Sequence, residues 1–158
     1  MRARLTVPML LVALGAAAPA LAWEIATGQG GGFDARVTAS QPIKGADGKP
    51  AKPALDVSCG PGGLYATLSW PAPVTVATGQ HFVTVAWALD GSSRNASMIA
   101  TPGSVGLAGS EAKEWVREFA TARQLVVHVP DAQGGQSASF DLTGVAAVQA
   151  GIAASACG

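Results

Sequence analysis

Cys59 and Cys157 are the only thiols in the chain, 98 positions apart. Neither belongs to a Cys-x-x-Cys pair, and His81 and His128 are the only histidines. A zinc or iron centre needs three or four such ligands close together, so no metal or cofactor is expected. An isolated cysteine pair in a small exported domain predicts a disulfide; two free thiols or two metal ligands are the rival reading. His128 could act as a base. It alternates with Val127 and Val129, however, and so reads as a residue on the polar face of a strand. Ser58 beside Cys59 lacks the Gly-x-Ser-x-Gly turn that activates a serine. The run GQGGG (28–32) has no strand before it and no Lys-Ser/Thr after it, so it is not a phosphate loop.

The carboxylates are scattered. Asp34, Asp47, Asp56, Asp90, Asp131 and Asp141 form no calcium loop, which needs alternate acidic positions before a glycine. Paired carboxylates for glycoside hydrolysis could meet only in space. Asn95-Ala96-Ser97 matches a glycosylation sequon, relevant only in a eukaryotic secretory host. Catalytic machinery is therefore not expected, and binding falls to the aromatics. Trp23, Tyr65, Trp70, Trp87 and Trp115 could line a carbohydrate or peptide groove. Trp87 and Trp115 lie in strongly apolar segments and read as core. Trp23 and Trp70 sit at segment ends, where a ring can stay exposed, and are the candidate binding residues.

Compartment is read from residues 1–22, MRARLTVPMLLVALGAAAPALA. Arg2 and Arg4 precede an apolar stretch, Leu5 to Ala18, and Ala20-Leu21-Ala22 supplies small residues for signal peptidase. The expected organisation is a signal peptide over 1–22 and one domain over 23–158, working in the periplasm or outside the cell. The alanine-rich leader looks bacterial. Ten Lys+Arg balance ten Asp+Glu in the whole chain, and two of the basic residues fall in the leader. The remainder has a net charge of about −2, which argues against nucleic acid and anionic lipid as partners. No second apolar run of about 20 residues is present, so no further membrane span is expected.

These residues need elements to position them. Phe33, Ala35, Val37 and Ala39 alternate, which predicts a strand within 33–43; a loop over 44–53 follows, broken by Asp47-Gly48 and two prolines. Leu55, Val57 and Cys59 make the next strand, turned by GPGG (60–63) into Leu64 to Trp70. His81 to Leu89 is apolar on both faces and predicts a central strand covered on both sides. Asp90-Gly91 is a turn into a weaker strand, Asn95 to Thr101, and 103–109 reads as loop. Ser110 is the expected cap of a helix whose stripe is Ala112, Trp115, Val116, Phe119 and Ala122. Leu125–Val129 and Ser137–Leu142 form a hairpin, and Thr143 is the expected cap of a closing helix over 144–156. The fold class is α+β: an antiparallel sheet or β-sandwich with one mid-chain and one C-terminal helix.

Several of these segments together resemble the VasI-type family of periplasmic accessory proteins of type VI secretion, some of them linked to peptidoglycan. The matching segments are Trp23, DARVTAS (34–40), ALDVSC (54–59), FVTVAWALDG (82–91), EWVREFATARQLVVHV (114–129) and FDLTGVAAVQAGIAASACG (140–158). Met98 stands where the family pattern has a tryptophan. The resemblance implies an accessory or binding protein of the bacterial envelope, with peptidoglycan or an envelope protein as partner. A secreted inhibitor or phage exclusion factor and a small carboxylate-based hydrolase are the alternatives.

Overall fold

A computed structural model describes residues 22–27 and 32–158. The expected leader, apart from Ala22, and most of the GQGGG run lie outside the described residues. Strand β1 (Trp23–Thr27) leads to β2 (Phe33–Thr38), and β3 (Ile43–Lys44) and β4 (Pro50–Ala51) make a small hairpin of their own. Then come β5 (Ala54–Gly60), β6 (Gly63–Ser69), β7 (Phe82–Leu89), β8 (Ser92–Thr101) and β9 (Ser104–Ala108). Helix α1 (Gly109–Glu118), a 3-10 turn (Phe119–Thr121), β10 (Gln124–Val129), β11 (Gln136–Asp141) and α2 (Val145–Ala154) follow. The architecture is α+β, as expected.

Nine strands form one sheet in the order β1-β2-β5-β6-β9-β8-β7-β10-β11, with every ladder antiparallel. Seven of these strands bury a single face. Phe33, Ala35 and Val37 of β2 point inward with Leu55 and Val57 of β5, while Asp34, Arg36 and Thr38 point out. The inward face is too apolar to leave open, and the sheet curls around it. Ser40 N, just after β2, donates to Ser139 O of β11 at 2.8 Å, and Ala22 N, just before β1, to Thr143 O, just after β11, at 3.3 Å, so the β1-β2 end of the sheet meets its β11 end. Ala112, Trp115, Val116 and Phe119 close the core from α1 and its 3-10 turn, and Val145, Val148 and Ile152 close it from α2.

Local chemistry explains the turns. Leu89 faces Ser92, leaving Asp90 and Gly91 as a two-residue loop with φ of 46° and 89°. That is the doubly positive turn whose twist suits a hairpin, and Asp and Gly are the residues that accept it. The Asp90 carboxylate also accepts the backbone N–H groups of Arg123, at 3.1 Å, and Gln124, at 2.9 Å, fixing where β10 begins. Gly106 of β9 lies so close to β6 that a Cβ there would stand 2.7 Å from Ala66 O.

Five expectations are corrected. The segment 103–109 is mostly strand β9, because Val105 and Leu107 alternate inward. Helix α1 starts directly off that strand, with Ala108 at the cap position and no side-chain cap, so Ser110 does not cap it. Gly144, with φ of 91°, occupies the cap of α2 in place of Thr143. The presumed loop over 44–53 contains β4 and the end of β3. Strand β7 is central in the sheet but covered on one face only: Val83, Val85 and Trp87 are buried, whereas Phe82 and Thr84 are exposed. Its outward alanines are compatible with either face, so composition overstated the burial.

Candidate functional site

The disulfide is present. Cys59 at the end of β5 is bonded to Cys157 beyond α2, with Cα atoms 5.9 Å apart, a spacing ordinary for a disulfide. No helix among the described residues is long and apolar enough to cross a membrane. Both facts are compatible with an extracytoplasmic setting.

The two tryptophans expected to remain exposed do not. Trp23 is 4% exposed and Trp70 3%. Trp23 opens β1 opposite Val37, on the inward face, and joins the core beside α2. Trp70 follows β6, its N–H bonded to Gly103 O at 2.8 Å, and its indole Nε1 donates to Asp131 at 2.9 Å. A segment end is exposed only if nothing roofs it; the curled sheet and its loops roof both. Neither ring can serve as a docking platform in this conformation.

Asp131 is the buried polar residue that sequence reasoning missed. Its carboxylate accepts the Trp70 indole, the Gln136 amide at 2.9 Å, and the backbone N–H groups of Gln133 at 2.9 Å and Gly135 at 3.2 Å. Burial pushes its pKa up, but the Trp70, Gln136, Gln133 and Gly135 donors together outweigh that and hold it below the ordinary 3.8. The only sequence signal was Asp131 ahead of Gly134-Gly135, a turn pattern in which an Asp side chain bonds the backbone just ahead. Asp131→Ala is expected to cost about 2–3 kcal/mol by orphaning buried donors. Because the folded pKa lies below the unfolded one, this contribution is complete above about pH 4 and fades as the pH falls through the folded value. Urea denaturation at pH 7 and pH 3 should therefore show a smaller acid loss in Asp131→Asn than in the wild type. An equal loss in both would remove Asp131 from the acid dependence.

The remaining candidates are dispersed. His81 lies exposed before β7. His128 Nδ1 is 3.1 Å from Ser137 Oγ, its cross-strand neighbour on the outward face, and its Nε2 lies beside Gly135. A serine and an imidazole in hydrogen-bond reach are a nucleophile–base pair, but among the described residues no third group orients this ring. Asp56 is held by Arg36 at 2.8 Å and Ser69 at 3.2 Å, and Asp141 accepts Thr143 N at 2.8 Å. Among the described residues, no group of three His, Cys, Asp or Glu side chains could hold a metal.

What the fold does present is the outer face of β10-β7-β8. Phe82 and Ile99 are direct cross-strand partners, 56% and 46% exposed. Four and six residues further along β7, Ala86 and Ala88 floor a depression of about 260 Å³, flanked by Val126 and His128 of β10 and by Ser93 and Asn95 of β8. Small residues on the central strand between taller ones on its neighbours make a groove along β7. On the opposite face of these strands Arg94 lies over the Trp87 ring, 5.8 Å from its centroid, and pairs with Glu118 of α1 at 2.9 Å. This signal was visible in Phe82 and the alanines after it, but it read as burial.

Fold and surface together define a disulfide-stapled α+β domain with a curled antiparallel sheet and a partly apolar outer face. No family model, no curated protein and no solved structure matches the chain.

Proposed function

We propose that this protein is an extracytoplasmic binding protein of the bacterial envelope, acting without catalysis, accessory to type VI secretion or to peptidoglycan. The observation that carries the reading is the Phe82–Ile99 pair beside the β7 groove. Two large apolar side chains face each other on the outward sheet surface, where their exposure gains the domain no stability. Exposed aromatic and aliphatic anchors with a polar rim are the usual centre of an interaction patch. The rim here is uncharged and hydroxyl-bearing: Thr84, Ser97 and Thr101. The leader and the disulfide support the compartment, and the likeness in pattern to VasI-type proteins supports the pathway.

The test is capture from envelope fractions, with purified peptidoglycan as one arm. The exported protein is expected to retain an envelope component, and Phe82→Ser with Ile99→Ser to lose at least about tenfold of it, since removing two such anchors costs more than 1.4 kcal/mol. Both side chains are exposed, so the fold should survive, as circular dichroism would verify. Capture of an enzyme or a phage component instead would make the protein an inhibitor or exclusion factor. Turnover of peptidoglycan or a model ester, abolished by Ser137→Ala or His128→Ala, would overturn the non-catalytic reading.

A further inference from the structure

A second pocket lies on the other side of the molecule, between α1 and α2. Its floor is apolar: Leu64 of β6, Val116 of α1, and Ile152 and Ala153 of α2. Its volume is about 160 Å³. A cavity of that order admits a benzene-sized group. The charged side chains at its mouth are both positive. Lys113 and Arg117 stand four residues apart on α1, hence on one face of the helix, and both line the pocket. Among the described residues, no carboxylate side chain lines it. Arg117 reaches Glu114 only at 3.9 Å, with both side chains more than 70% exposed, a pair of little strength. Lys113 has no ion pair among the described residues. Gln149, the remaining polar side chain, donates its amide to Val116 O at 2.7 Å and so braces α2 against α1.

The disulfide builds one wall. Gly158 lines the pocket, next to Cys157, and Cys157 is bonded to Cys59, whose ladder partner is the floor residue Leu64. The pocket is thus framed by a helix pair, a strand and a covalently held tail.

We propose that this pocket binds a small amphiphilic carboxylate: one apolar group of about six carbons seated on Leu64, Val116 and Ile152, with its carboxylate at Lys113 and Arg117. Apolar floor and cationic mouth together select that chemistry. A neutral ligand leaves the two cations unused, and a bare anion leaves the floor unfilled. A ligand of this size should bind with a dissociation constant on the order of 1 mM.

The test is a titration of the oxidised, exported protein with phenylacetate, followed by amide resonances. Shifts of Val116, Gln149 and Ile152 should saturate. Phenylacetamide, which keeps the ring and lacks the charge, and acetate, which keeps the charge and lacks the ring, should each bind at least about tenfold more weakly. Lys113→Gln with Arg117→Gln should weaken phenylacetate by a similar factor; both side chains are exposed, so folding is not at stake. Absence of saturable shifts up to about 10 mM would overturn the proposal. So would equal binding of phenylacetamide, or an unchanged constant in the double variant. Neither substitution touches Phe82 or Ile99, so this site and the binding face on β7-β8 stand or fall separately.

Discussion

Replacing Cys59 and Cys157 together by serine is expected to lower stability by about 3–5 kcal/mol. The bridge joins residues 98 positions apart, and for a loop of that length the chain-entropy model gives about 4.7 kcal/mol. The geometry asks little of the backbone, with Cα atoms 5.9 Å apart. What the bridge holds is specific. Helix α2 closes the core over β1 and β2 through Val145, Val148 and Ile152, and the tail that carries Cys157 follows it directly. Without the bridge, that tail is held by short-range bonds such as Ser155 Oγ to Ile152 O at 2.7 Å. Denaturant titration of the double variant, followed by tryptophan fluorescence, measures the effect. A loss below about 1 kcal/mol would mean that packing of α2 alone secures the end of the chain. Because domains of this size are commonly stable by only about 5–15 kcal/mol, the expected loss would leave some of the protein unfolded at physiological temperature.

Trp87→Ala is expected to cost about 3–5 kcal/mol by the same measurement. Trp87 is 5% exposed and packs edge-on against Trp115, with ring centroids 6.0 Å apart; Trp115 in turn packs edge-on against Phe119 at 4.9 Å. This aromatic row fastens α1 and its 3-10 turn to the central strand. Removing the first ring leaves a cavity and strips Arg94 of the face it covers. Trp87→Phe separates the contributions. The indole N–H of Trp87 has no hydrogen-bond partner among the described residues, so the phenyl ring gives up area but also removes an unsatisfied buried donor. Its cost should be only about 1 kcal/mol. A Phe variant as damaged as the Ala variant would mean that the exact indole shape, and not apolar volume, holds the row together.

The elements were legible wherever local pattern and tertiary need coincide. Alternation located β2, β5, β6, β10 and β11, and the helical stripe of Ala112, Trp115, Val116 and Phe119 located α1, because each faces one continuous core. The same reasoning expects Val83, Val85, Trp87 and Leu89 to be buried with Trp115 and Phe119; all are except Leu89, which is only partly buried. The short strand β9 was hidden because two inward residues, Val105 and Leu107, carry too little periodicity among glycines. Its place beside β6 is set by close backbone approach at Gly106, which no local window reveals.

The site was less legible. By itself the sequence determined the covalent logic: the chain's two cysteines have each other as partners. It also determined which faces of most strands are apolar, since alternation is a property of neighbouring residues. Tertiary structure alone decided what covers those faces. Trp23 and Trp70 look free at segment ends, yet the sheet curls over them, and a buried carboxylate 61 positions away in sequence receives the Trp70 indole. Phe82 looks buried within the most apolar strand, yet it stands on the outward face, with solvent above it. The pocket between α1 and α2 combines residues from β6, two helices and the tail, and only their packing brings the two cations to an apolar floor. The physical reason is that burial is a relation between distant segments: a sequence specifies which surfaces avoid water, but the closure of the sheet and the order of its strands decide which of them succeed.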